Sequence, residues 1–112
     1  MARIKNDQYF LEKILNDIAF LLRVTQNITL EELESNEILI DSIMFRFIQI
    51  SESIKRISNQ LKESYQEIPW QLIVGLRNKI VHEYGEIDLT VIYQVLRYDL
   101  KELHENLFKL KI

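Results

Sequence analysis

Cysteine is absent from the 112 residues, so disulfide scaffolds and thiolate metal sites are excluded. Glycine occurs twice and proline once, which leaves few turns and implies long helices with short connections. No apolar run approaches the roughly 20 residues that a bilayer span requires, so no membrane segment is expected. There is no glycine-rich loop to cradle a phosphate, and no alternating strand pattern persists beyond a few positions. A basic excess is also missing. The net charge of −3 argues against nucleic-acid binding over the whole surface. Any contact with RNA needs a local positive patch and carries strong salt dependence. His82–Glu83 lacks a second histidine four residues from the first, so a zinc site is not indicated and no metal or cofactor is expected.

What is present reads as one folded domain over residues 1–112. The sequence is 47% hydrophobic and 10% aromatic, with no internal repeat, low-complexity tract or linker. The opening MARIKNDQYFLEKILND breaks its apolar residues with charges at helical spacing, unlike a signal or transit peptide. A cytoplasmic location is the expectation. Residues 7–25 read as a first helix, capped by Asn6 or Asp7, with Leu11, Ile14, Leu15, Ile18, Leu21 and Leu22 on its apolar face. Thr29 and Glu32 have capping-box spacing and predict a short helix in LEELES.

From about Asn36 to Ser64 the pattern predicts the longest helix. Ile40, Ile43, Phe47, Ile50, Ile54, Ile57 and Leu61 step by alternating threes and fours. Leu39, Met44 and Phe45 lie off that seam, so this helix needs partners on two sides, in a central position or at a subunit interface. The last helix opens at Asp88 and carries Leu89, Ile92, Leu96, Leu100, Leu103, Leu107 and Leu110 on one stripe. Lys109 and Lys111 suit its C-terminal dipole. The fold class is all-α, an antiparallel bundle of four main helices plus one short one. Tyr9, Phe10, Phe45, Phe47, Tyr65, Tyr93, Tyr98 and Phe108 read as core and rim, and His104 as a surface residue.

The stretch PWQLIVGLRNKIVHEYG, Pro69 to Gly85, organises the rest. Proline suits a first helical turn, and Gly85 sits where a left-handed C-terminal cap is wanted. Trp70, Ile73, Leu76, Ile80 and Val81 predict one buried face. Arg77 falls in the middle of it. A guanidinium there is costly unless a carboxylate, a ligand or a wet cleft receives it. An ion pair with Glu52, Asp41 or Glu83 is the structural alternative. Asn78 and His82 stack one turn apart, whereas Arg77 and His82 are about 140° apart on an ideal helix. The cluster therefore reads as half of a site. Tyr84, taken alone, only finishes the apolar stripe.

LRNKIVHEY resembles the R-x-x-x-x-H-x-Y signature of the HepT-like family in the HEPN superfamily, at Arg77, His82 and Tyr84. IPWQLIVGLRNKIVHEYGEID resembles the family block around that signature. ISESIKRIS resembles the family's long-helix segment, which more often reads I-G-E-A, so Glu52 matches while Ser51 and Ser53 depart. The resemblance implies a HEPN-like bundle that dimerises, with two R…H motifs facing one cleft. It implies a metal-independent endoribonuclease toxin paired with an MNT-type nucleotidyltransferase antitoxin, which transfers AMP onto the tyrosine at Tyr84.

That chemistry agrees with the residues. A metal-free RNase needs a base for the 2′-OH proton and a fixed cation for charge growing on the phosphate. His82 and Arg77 are the catalytic candidates, with Asn78 and Glu52 supporting. The reading from another class is a non-catalytic nucleotide- or partner-binding module that docks a nucleotidyltransferase.

Overall fold

The computed structural model describes residues 6–110; Lys111 lies outside them, and so does the Tyr84 side chain. Six helices form an all-α bundle, with no strand among the described residues. Helix α1 (Asp7–Val24) starts at Asn6, whose side chain accepts the Tyr9 N–H at 3.0 Å. It buries Phe10, Leu11, Ile14, Ile18 and Leu21, and the Thr25 hydroxyl closes it by donating to the Leu21 carbonyl. Asn27, at φ 61°, turns the chain in the left-handed region that asparagine tolerates. Thr29 then caps α2 (Leu30–Glu34) by accepting the Glu32 N–H and donating to the Glu32 carboxylate.

Helix α3 (Glu37–Arg56) lies between α1 and α5 and buries Ile43, Phe47, Ile50 and Ile54. The expected single helix from 36 to 64 is in fact two. Ile57 is extended and buried, and Ser58 restarts the chain as the cap of α4 (Asn59–Ser64). The heptad runs through the break because Ile57 still has to reach the core. The break is held in place by Asp7, which accepts the Ser58 N–H at 2.8 Å and the Ser58 hydroxyl at 2.6 Å.

Helix α5 (Trp70–Glu83) follows Pro69 and is anchored by the Trp70 indole N–H, which donates to the Tyr65 carbonyl. Its core face is Trp70, Ile73, Leu76 and Ile80; Val81, expected among them, is 48% exposed. The left-handed cap expected at Gly85 is also not formed. The chain leaves α5 through a 3-10 turn, Tyr84–Glu86, and neither glycine has positive φ. Asp88 caps α6, which runs over residues 89–108. A π-helical turn at Val95–Asp99 shifts its register, so that Val95, Leu96 and Leu100 are all buried. The C-terminal part of α6 packs on α1, and the Tyr93 hydroxyl donates to the Ile28 carbonyl.

No helix among the described residues is long and apolar enough to cross a membrane. The four long helices match the expected bundle, with two short helices rather than one.

The Asp7–Ser58 contact is testable on its own. Asp7→Ala and Ser58→Ala should each cost about 1 kcal/mol in urea unfolding. Their double variant should cost less than the sum, because both remove the bond between the Ser58 hydroxyl and the Asp7 carboxylate.

Candidate active site

Helix α5 carries Arg77 and Asn78 in its second half and His82 in its last turn. Ile73, Leu76 and Ile80 fix the rotation of that helix by their burial, and this turns Arg77 towards α3 at the edge of the core. The Arg77 side chain is 27% exposed, and its Nε lies 3.7 Å from Glu52 Oε1 on α3. Of the three carboxylates considered for it, Glu52 is the one within ion-pair range. At that separation the contact is an ion pair and not a hydrogen bond. The Arg77 Nε is buried without a hydrogen-bond partner, while Nη1 donates to Asn78 Oδ1 at 3.3 Å.

Glu52 is shared. It is 48% exposed and also lies 3.7 Å from Lys55 Nζ. A half-exposed carboxylate between two cations holds each of them weakly. His82 is exposed and makes no hydrogen bond or ion pair among the described residues. The structure thus joins Arg77, Asn78 and Glu52 directly and leaves His82 displayed nearby on the same helix. Tyr84 sits by its backbone on the 3-10 turn between exposed Glu83 and Gly85.

Both departures from the I-G-E-A pattern are buried: Ser51 and Ser53 flank Glu52, and the Ser51 hydroxyl has no hydrogen-bond partner. His104, read as a surface residue, is half-buried and stacks on Phe108 with ring centroids 6.3 Å apart. No group of three or more histidine, aspartate or glutamate side chains among the described residues is placed to hold a metal ion.

The residues on the other side of Glu52 carry no common signal in the sequence. A groove of about 200 Å³ opens there between α1 and α3, lined by Tyr9, Lys13, Gln49, Glu52, Ser53 and Arg56. Its residues come from two helices some forty positions apart, as the Lys13–Gln49 hydrogen bond illustrates. No periodicity in one helix could have joined them.

A helical bundle with an arginine and a histidine five residues apart on one helix is consistent with the HEPN-like class. Residues 14–110 match the family model described as ribonuclease HepT-like, and the chain belongs to that family. It is 25% identical over 103 residues to a protein of Caldanaerobacter subterraneus subsp. tengcongensis named as an RNase, covering 92% of each chain. A Methanocaldococcus jannaschii protein named as an RNase is 26% identical over 101 residues, 90% of this chain and 84% of its own. Ribonuclease HepT of Thermococcus cleftensis is 26% identical over 102 residues, 91% of this chain and 93% of its own. All three names give the ribonuclease assignment provisionally. No solved structure gives a significant match.

The ion-pair geometry sets a stability expectation. Glu52→Gln should change unfolding free energy by less than about 1 kcal/mol. Arg77→Met should leave the urea midpoint unchanged or raise it, since a weakly held guanidinium is exchanged for an apolar side chain. A loss of about 3 kcal/mol or more would make Arg77 a structural ion-pair member.

Proposed function

We propose that this protein is a metal-independent endoribonuclease toxin that works as a homodimer. The observation that carries the reading is the pairing of a weakly held arginine with an unpartnered histidine on one helix. Arg77 has a buried Nε without a hydrogen bond, and His82 is exposed and unbonded among the described residues. Membership of a family described by ribonuclease activity supports it further.

In this reading His82 takes the proton of an RNA 2′-OH, and the freed oxygen attacks the adjacent phosphorus. Charge grows on the non-bridging oxygens, where Arg77 meets it as a fixed cation already desolvated at Nε. The P–O5′ bond breaks, and the leaving oxygen takes a proton from His82 of the partner subunit. The products are a 2′,3′-cyclic phosphate and a 5′-hydroxyl. Glu52 aims the guanidinium, and Asn78 holds Nη1 on its other side.

One chain offers only half of this site, because Arg77 and His82 point from different sides of α5. A second copy fits the apolar residues left outside the core, Ile38 at 84% and Phe45 at 57% exposed on α3, with Val81 on α5. An MNT-type nucleotidyltransferase is the antitoxin partner, and Tyr84 is the acceptor of its AMP group. The exposed neighbours of Tyr84 on the 3-10 turn make that backbone reachable. An adenylyl group there adds negative charge and bulk beside His82 and keeps RNA out.

RNA cleavage in EDTA, by protein whose intact mass shows Tyr84 unmodified, tests the chemistry. His82→Ala should lower the rate by about 10² to 10⁴-fold. Equal rates would identify a contaminating nuclease. Inactivity of both would favour a module that docks a nucleotidyltransferase without cleaving RNA.

The assembly has its own test. Phe45→Glu should sediment as a monomer and lose cleavage in step with the dimer, because it places a charge in the apolar contact. A dimer that survives this change would remove that face from the interface.

A further inference from the structure

Helices α5 and α6 pack on each other less closely than α1 on α3, α3 on α5 or α6 on α1. That side of the bundle is left open, and two cavities lie along it. The first, of about 300 Å³, is lined by Pro69, Leu72 and Leu103 together with Glu67, Asp99 and Glu102. The second, of about 170 Å³, combines apolar Leu76, Ile87 and Val91 with Glu83, Glu86 and Asp88. They adjoin along one groove. Leu72, Leu76, Lys79 and Glu83 follow one another at helical steps on α5 and so share one of its faces. From Leu72 to Glu83 that face is about 17 Å long, or about three turns.

The groove has apolar surface that the core does not use. Val91 is 42% exposed, and Leu72 and Ile87 are half-buried. Its charge is predominantly of one sign. The carboxylates at its two ends face a single lining cation, Lys79. None of those carboxylates is in an ion pair among the described residues. Asp88 accepts the Thr90 N–H as a helix cap and keeps its charge. Like charges along one groove repel one another, a cost that a cationic partner removes.

We propose that the α5–α6 groove docks an amphipathic helix of a partner protein, one whose apolar stripe is bordered by lysine and arginine. Apolar side chains at i, i+3, i+4 and i+7 enter between α5 and α6, as in other helix-in-groove complexes. The bordering cations meet Glu67, Asp99 and Glu102 at one end and Glu83 and Glu86 at the other. Charge complementarity selects this occupant. Two copies of the chain cannot close the groove face to face, because carboxylates would meet carboxylates. RNA meets the same repulsion. The groove face lies about 120° around α5 from Arg77, so a docked helix leaves the guanidinium uncovered. Its Glu83–Glu86 end nevertheless borders the last turn of α5, where His82 stands. The inference uses neither Arg77 nor His82 and does not depend on the nuclease reading.

The test is a titration of the isotope-labelled full chain, followed by its backbone amide shifts in NMR spectra. The probe is a capped peptide of about 18 residues, long enough to hold a helix on binding, with leucine along one stripe and lysine on both borders. A second peptide carries glutamate in place of lysine, and a third has the first one's composition in scrambled order. The lysine peptide should shift amides in 67–72, 76–91 and 99–106 and leave those of α1 in place. The other two peptides should not bind in the same concentration range. Asp99→Asn combined with Glu102→Gln should weaken the lysine peptide about tenfold. Glu12→Gln combined with Glu37→Gln, the same change in charge at exposed positions on α1 and α3, should not. Val91→Asn should weaken binding as well, and thermal melts check that every variant is folded.

No binding of the lysine peptide, or shifts outside the groove, would overturn the proposal. Equal weakening by both double variants would reduce the effect to bulk charge attraction and overturn it too. Groove amides that move with protein concentration, with no peptide present, would give the groove to a second copy of the chain instead.

Discussion

The position of α3 between α1 and α5 is the constraint on which the rest of the structure depends. A helix buried on two sides keeps only a narrow outward strip. On α3 the inward side holds Ile43, Phe47, Ile50 and Ile54, and the strip that remains carries Ile38, Phe45, Glu52 and Arg56. Glu52 is therefore placed where it can meet Arg77 across one flank and line the α1 groove on the other. The buried Asp17, tied to Arg46 at 2.8 Å and Lys13 at 3.2 Å, keeps the α1 flank in register with it. Loss of core packing under α3 would disturb both flanks together, because they share one helix.

The arginine on the α3–α5 flank has no sufficient structural explanation. An exposed carboxylate 3.7 Å away contributes little, and Glu52 is shared with Lys55. Desolvating the Arg77 Nε without a hydrogen bond costs more than such a pair returns. A fold selected only for stability would place an aliphatic side chain there. A fold that has to present a cation to an incoming anion would accept the cost, because a pre-positioned and partly desolvated charge needs no reorganisation when the anion arrives.

Much of this was legible in the sequence, and the misses share a cause. The caps at Asn6, Thr29 and Asp88 and the helical stripes of α1, α5 and α6 follow from local rules, and the structure contains them. The break at Ile57 was hidden because the heptad continues through it; Asp7, fifty-one positions away, supplies the reason for a restart at Ser58. Val81 has the right spacing for the core, yet the buried face of α5 is filled by Ile73, Leu76 and Ile80, and Val81 stays outside it. Arg77 is legible because one misplaced charge on an apolar stripe is a local signal. The groove gave none: Phe10, Lys13 and Gln49 acquire meaning only when α1 lies against α3.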